Sequence, residues 1–484
     1  MNYKMMGRFH ALILAIEAIF MLPALIISMA EGKQKTAAAF AVSIALVACF
    51  AALLALLSRG AKRDFYVREG LICVGSSWIV ISLFGCLPFC LSGEIPAFID
   101  ALFEIVSGFT TTGASIVANV EGLSKGILYW RSFSHWLGGM GVLVFLLALL
   151  PTGSRNEGFT MHLFRAESPG PEVGKLVPSL RKTARVLYLT YIALSVLNFI
   201  FLIAGDMPLF DAVCTVFGTA GTGGFGIRND SLASYSPYIQ NVTTVFMLLF
   251  GINFSCYYLL LLRKFKSVLR DEELRLYLGL VIGAAALIAI NTHQLFADTG
   301  EALRHTAFQV ASIITTTGFA TVDFNLWPTF SKSVLLILMI VGACAGSTGG
   351  GMKCSRVLLL FKNLRRSIAR ILHPQKVQVI RVNKKTVDEQ TVSNTVAYLA
   401  AYIVILIVSA LLLALDGLSL ETNLSATLAC FNNIGPGLDA VGPTCNYVLY
   451  SPLSKIILIL DMLAGRLEIF PILILFNLHA WRKK

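Results

Sequence analysis

The chain has 484 residues, of which 56% are hydrophobic and 14% charged, and its formal net charge is +12. A soluble fold of this size cannot hide that much apolar surface, so the composition excludes a soluble globular protein and points to a polytopic membrane protein. The positive charge is confined to certain loops, which excludes a nucleic-acid surface and makes it a marker of membrane orientation.

Two apolar runs, residues 9–29 and 36–57, read as an N-terminal transmembrane hairpin within residues 1–60. No cleavage pattern follows the first, so it reads as a retained helix. Four units of similar construction come next, residues 61–152, 153–264, 265–386 and 387–484. Each is predicted to hold a spanning helix, a short re-entrant pore helix, a glycine-centred segment and a second spanning helix. In the first unit the three helices are expected at 70–91, 97–109 and 130–150. In the second they are 183–204, 208–218 and 237–262. In the third they are 276–292, 301–314 and 331–372, and in the fourth 393–415, 421–432 and 452–481. The expected fold is all-α, with four such repeats in pseudo-fourfold arrangement behind the hairpin.

The glycine-centred segments read TTTGAS at 110–115, GTGGFG at 221–226, TTTGFA at 315–320 and NIGPG at 433–437. Taking Gly113, Gly223, Gly318 and Gly435 as the central glycines, they recur at intervals of about 110, 95 and 117 residues. The preceding helices are too short to cross a bilayer, and non-helical backbone at membrane depth must be buried in protein or line a water-filled cavity. Glycine allows an extended backbone with inward carbonyls and leaves no side chain in an ion's path. The candidate ion ligands are Thr111, Thr112, Gly113, Thr222, Gly223, Thr316, Thr317, Gly318, Asn433, Ile434 and Gly435. Nothing in these segments resembles the carboxylate cage of a divalent cation.

Basic residues cluster after the hairpin (Arg59, Lys62, Arg63, Arg68), within 155–185, within 263–270, within 353–385 and at the C-terminus. By the positive-inside rule these segments and both termini are expected in the cytoplasm. The intervening loops carry Glu94, Asp100, Glu121, Asp206, Asp211, Asp298, Glu301, Asp416 and Glu421. An acidic outer mouth is therefore expected to concentrate cations. The ten cysteines form no CxxC pair and read as small membrane-core residues.

The last helix of the third unit is crowded with glycine at Gly342, Gly346, Gly349, Gly350 and Gly351, which breaks a helix mid-membrane. The loop Gly346, Ser347, Thr348, Gly349, Gly350, Gly351, with Lys353 at its end, is a candidate gate; the alternative is close packing of small residues. It is not a phosphate-binding loop, because Met352 separates Gly351 from Lys353 and Cys354 follows. Arg466, read as lying near the middle of the last helix, is a costly intramembrane charge and a second gate candidate, with the loop, Asp461 or Glu468 as possible partners. Asn253 reads as pore-lining or interhelical, and His135 as a packing residue.

The segments, together with HWLGGMGVLV at 135–144, GACAGSTGGGMK at 342–353, NNIGPGLD at 432–439 and GRLEIFP at 465–471, resemble the Trk/Ktr/HKT superfamily of potassium transporters. The resemblance covers nearly the whole chain and, through the hairpin, is greatest to the membrane subunits of bacterial Trk uptake systems. It implies a potassium pore in the inner membrane, with K+ as the transported ion and no nucleotide bound by this chain. It also implies a gating loop, an arginine (Arg466) projecting beneath the filter, a homodimer in lipid and a cytosolic ring of nucleotide-binding, TrkA-like regulatory subunits. Residues 356–385 are the candidate docking surface. Serine at the position of Gly113 accompanies sodium transport in plant relatives, so glycine there implies potassium. A sodium-permeable uniporter of the same fold, or a K+/H+ or K+/Na+ coupled symporter, are the alternatives. No HExxH or GxSxG cluster points to an enzyme.

Overall fold

In lipid every backbone N–H needs an acceptor within the protein, so long apolar runs have little choice but helix. The computed structural model describes residues 2–60, 67–141, 180–375 and 378–481, and among them six helices are long and apolar enough to span a bilayer. They are Tyr3–Ala30, Gln34–Leu57, Arg68–Ser92, Thr183–Ala204, Glu272–Leu295 and Glu389–Asp416. Pro237–Phe250 with Phe254–Leu261 makes a seventh, bent by 89°. Only 22% of the Gln34–Leu57 window is buried, and Ile282, Ile290 and Leu411 are largely exposed, so these helices turn broad apolar faces outward to lipid.

The expected hairpin is present, with the Asn2 side chain capping the first helix at the Met5 N–H. Arg68–Ser92 is bent at Cys86, between Val67–Gly85 and Leu87–Ser92. Pro88 lacks an N–H and crowds the carbonyl four residues back, which breaks the ladder there. The Gly85 carbonyl accepts instead from the Trp130 indole at 2.9 Å.

Four pore helices follow the predicted pattern: Phe98–Phe109, Leu209–Gly221, Thr299–Ile314 and Leu420–Phe431. Each carries an acid in its first turn, Asp100, Asp211, Glu301 and Glu421 respectively, where the positive end of the helix dipole stabilises it.

Each inner helix stops after 13–15 residues: Lys125–Gly139, Pro237–Phe250, Thr329–Val341 and Pro452–Arg466. At ~1.5 Å per residue that is roughly 20–22 Å, short of a ~30 Å hydrocarbon core. The sequence reading anticipated such a break only in the third unit. The first inner helix gives way at Met140–Gly141, Gly141 having φ +78°; the rest of the expected span, 142–150, lies outside the described residues, as do 155–175, 376 and 482–484 of the basic segments. The second breaks at Gly251–Asn253, where Asn253 caps the next helix by accepting from the Ser255 N–H. Capping is a third role, beside the pore-lining and interhelical ones left open by the sequence. The fourth breaks at Glu468 and Ile469, both at positive φ, so Arg466 ends a helix and does not sit inside one.

Each pore helix packs against the inner helix of its own unit and against that of the unit before it, the first pore helix closing on the fourth inner helix. This cyclic packing makes the fold a pseudo-fourfold ring of repeats. A two-stranded antiparallel hairpin, Arg381–Val382 with Lys385–Thr386, ends the basic segment and was not expected.

The hairpin touches the ring where Gly126 passes the first helix: a methyl group there would lie 1.9 Å from Ser28 Oγ. Gly126→Val is expected to destabilise the protein by about 1–3 kcal/mol through overpacking. A lowered melting temperature in detergent checks this; an unchanged one would mean that the contact yields freely.

Candidate ion pathway

Each pore helix ends in the same C-terminal motif. One or two residues past the helix stands a left-handed residue, and the next N–H reaches back to the carbonyl five residues earlier. The left-handed residues are Thr111, Thr222, Thr316 and Asn433, with φ of +56°, +54°, +59° and +56°. The reaching bonds are Thr112 N–H to Ser107 O, Gly223 N–H to Gly218 O, Thr317 N–H to Ser312 O and Ile434 N–H to Ala429 O, at 2.8–2.9 Å. β-Branched threonine resists this conformation, so three of the four sites hold strain of about 1–3 kcal/mol each.

The motif fixes the register and corrects one expectation. Gly223 stands opposite Thr112, Thr317 and Ile434, and the glycine equivalent to Gly113, Gly318 and Gly435 is Gly224. Their φ values are +74°, +80°, +84° and +96° for Gly224, Gly113, Gly318 and Gly435. The run of glycines in GTGGFG concealed the one-residue offset.

The four segments close on one another. A methyl group on Gly113 would lie 2.1 Å from the carbonyl oxygen of Gly223. One on Gly224 would lie 1.9 Å from that of Thr317, one on Gly318 2.1 Å from that of Ile434, and one on Gly435 2.7 Å from that of Thr112. The chain therefore brings Thr112 O, Gly223 O, Thr317 O and Ile434 O into one ring, each against the preceding unit's glycine. All four glycines line a single cavity of about 110 Å³, which also takes in Ser115, Arg131 and Tyr447.

Side chains behind the ring hold it. His135 fills the space that a side chain at Gly223 would need; its Nδ1 lies 2.9 Å from Gly108 O and its Nε2 accepts from the Phe225 N–H. That pattern puts the proton on Nδ1 and makes His135 a packing residue, as expected. The Tyr447 hydroxyl donates to Gly435 O at 2.7 Å, and Asn433 Nδ2 to Thr112 Oγ1 at 3.0 Å. Glu104 and Arg131 form a buried ion pair at 2.5 Å beside the first two segments. The sequence reading passed over Glu104, Arg131 and Tyr447. The first two carried a legible signal, since they are charges inside apolar helices.

The loop Gly342–Lys353 lies under the ring. Gly350 N–H donates to Thr316 Oγ1 at 2.6 Å, and Gly351 N–H to Asn432 O at 3.0 Å. On the other side Thr348 N–H reaches Phe250 O, and Gly346 O accepts from the Phe254 N–H, both at the broken second inner helix. The Ala345 N–H donates to the buried Glu273 carboxylate at 2.6 Å. Lys353 is buried and its ammonium donates to Gly349 O. Arg466 donates to Thr348 O at 2.9 Å, to Gly139 O at 2.7 Å and to Gly138 O. It thereby joins the loop to the carbonyl end of the first inner helix, where a cation is favoured. Of its expected partners, the loop is the one found. Asp461 bonds Ser409 on the outer helix Glu389–Leu413, and Glu468 pairs with Arg356.

The mouth is less free in charge than its composition implied. Asp100 pairs with Lys455 at 2.6 Å, Asp211 with Arg228 at 3.4 Å and Glu421 with Lys332 at 3.4 Å. Hydrogen bonds from Ser419 and Thr422 hold the Asp439 carboxyl below the usual carboxylate range. In the basic segment Arg356 is buried against Glu468 and Tyr398, while Lys362 and Arg366 pair with Glu272 and Glu389. Arg365, Arg370, Lys384 and Lys385 are exposed.

Comparison with known proteins places this geometry. Residues 36–482 match the model of a family described as "TrkH: Cation transport protein". The chain is 36% identical over 433 residues to a Trk system potassium uptake protein TrkH of Salmonella typhimurium, covering 88% of each. It is 34% identical to the protein of that name from Halomonas elongata, covering 100% of each. The crystal structure of the potassium transporter TrkH from Vibrio parahaemolyticus superposes with a TM-score of 0.88 at 29% identity, covering 100% of both chains.

Arg466→Ala removes the three bonds that tie the loop to the first inner helix. Basal cation flux into proteoliposomes is expected to rise several-fold over the parent protein. A flux that stays the same or falls would show that Arg466 does not hold the loop in place.

Proposed function

The chain belongs to the TrkH family of cation transport proteins, and from that premise we propose that it takes up potassium through the four-segment ring. The observation that carries this reading is the closed set of carbonyls Thr112 O, Gly223 O, Thr317 O and Ile434 O, each packed against a glycine with no room for a methyl group. Main-chain oxygens so arranged can replace the hydration shell of a monovalent cation, and the four pore helices aim their negative ends at the same place. The units 61–152, 153–264, 265–386 and 387–484 act as the four quarters of one pore.

The membrane is a bacterial inner membrane, with the basic segments and both termini in the cytoplasm. Ions enter from the glycine-lined cavity, shed water in the ring and meet the loop around Gly346–Gly351, which Lys353 and Arg466 keep in place. Membrane potential drives them, at about 2.3 kcal/mol per 100 mV for each charge. A TrkA-like nucleotide-binding ring releases the loop. Its docking surface is narrowed to the exposed Arg365, Arg370, Lys384 and Lys385. A homodimer in lipid is the assembly. Obligatory coupling to protons would need a titratable group on the path. Of the two acids the sequence singled out, Asp461 turns to Ser409 and Glu468 to Arg356, so neither is free to carry that coupling.

Potassium uptake into proteoliposomes under a negative-inside potential tests the reading, and two glycine substitutions sharpen it. Gly224→Ala meets Thr317 O at 1.9 Å and is expected to abolish the preference for K+ over Na+ or to stop uptake. At Gly122, outside the ring, the nearest atom to an added methyl is 3.4 Å away, and Gly122→Ala is expected to keep the preference. Equal effects of the two, or equal uptake of both ions by the parent protein, would contradict the proposal.

A further inference from the structure

The four filter segments are not braced alike. Seven residues before the left-handed threonine of the first segment stands Glu104; the same position in the other units holds Thr215, Gln309 and Ala426. Glu104 is fully buried on the first pore helix. It accepts from the Ser115 hydroxyl at 3.0 Å, from the Ile116 N–H at 2.9 Å and from Arg131 Nε at 2.5 Å. Ser115 and Ile116 are the residues by which the first segment leaves the ring.

Arg131, buried on the first inner helix, uses its other face on the second segment. Its Nη1 donates to Gly226 O at 2.8 Å, and its guanidinium lies 3.7 Å from the centroid of the Phe225 ring. The two charges thus form a strut from the exit of one segment to the exit of the next.

The second segment needs such a strut more than the others. Four of the six residues in GTGGFG are glycine, which has the most backbone freedom to lose. It has no side chain at Gly223 to pack where the other segments have Thr112, Thr317 and Ile434. Elsewhere neutral bonds serve: Ser312 Oγ donates to Phe319 O at 2.6 Å, and Tyr447 Oη to Gly435 O. A planar guanidinium can pair with a carboxylate and reach a carbonyl at once, which an ammonium cannot do.

We propose that the buried Glu104–Arg131 pair sets the ion selectivity of the pore by fixing the first filter segment against the second. The inference rests on the reading of the carbonyl ring as the filter. Both residues are positioning residues that act through the backbone of Ser115–Ile116 and Phe225–Gly226.

The test is the ratio of K+ to Na+ uptake by the purified full-length protein in proteoliposomes, measured for the parent, Glu104→Gln, Arg131→Lys and Gly126→Val. Glu104→Gln keeps the shape and removes the charge partner. Arg131→Lys keeps the charge and removes the fork, so Glu104 stays compensated and folding is spared. Either folded variant is expected to lose about tenfold in the ratio, the size of effect that breaking one buried coupling gives, while still conducting K+. Gly126→Val, destabilised where the added bulk meets Ser28 and Ala24 of the N-terminal hairpin, is expected to keep the parent ratio, which separates positioning from mere loss of stability. A parent-like ratio in folded Arg131→Lys and Glu104→Gln overturns the inference and leaves the filter reading standing. A parent protein without any K+ preference overturns both.

Discussion

The constraint on which this structure depends is the cost of an unsatisfied backbone group at the middle of a bilayer. The chain holds four short pore helices whose C-terminal carbonyls cannot find water in lipid. It resolves the problem by making the four ends face one another. The left-handed turn after each helix satisfies two N–H groups and rotates the following carbonyl toward its neighbours, at Thr112, Gly223, Thr317 and Ile434. What would be a defect in one unit becomes a closed ring of carbonyls in four. The strain of three left-handed threonines is tolerated because each is fixed by the bonds of its own helix end.

The same logic extends below the ring. All four inner helices stop at a similar length, and each broken end leaves carbonyls to be satisfied. The third break provides the loop that covers the others: its N–H groups bond the ends of the second inner helix and of the third and fourth filter segments. Arg466 completes the set at the end of the first inner helix. The loop is therefore held by groups of the second, third and fourth units and tied through Arg466 to the first. The helix Cys354–Leu372 that follows it grips the fourth break, where Arg356 pairs with Glu468.

Much of this was legible in the sequence. Repetition at a spacing of about a hundred residues exposed the four units, the glycine density at 342–351 exposed the loop, and the isolated charge exposed Arg466. Three things were hidden, each for a physical reason. The register of the second segment was ambiguous because adjacent glycines look alike; only backbone dihedrals distinguish Gly223 from Gly224. The fourth break, at Leu467–Ile469, was hidden because the proline that stops the ladder there, Pro471, lies past it at the start of the next helix, and Glu468 is paired with the distant Arg356. The acids of the loops were counted as free charge, whereas several are committed to pore-helix N-termini and to Lys455, Arg228 and Lys332. These pairings join residues 355, 17 and 89 positions apart, and only the folded arrangement reveals them.

The central claim is that a cation sits in the ring of four carbonyls. The most direct measurement is anomalous diffraction from crystals of this protein grown with rubidium in place of potassium. The account predicts a rubidium peak on the pseudo-fourfold axis, within ligand distance of Thr112 O, Gly223 O, Thr317 O and Ile434 O. A peak placed elsewhere in the membrane region, with none at the ring, would contradict it.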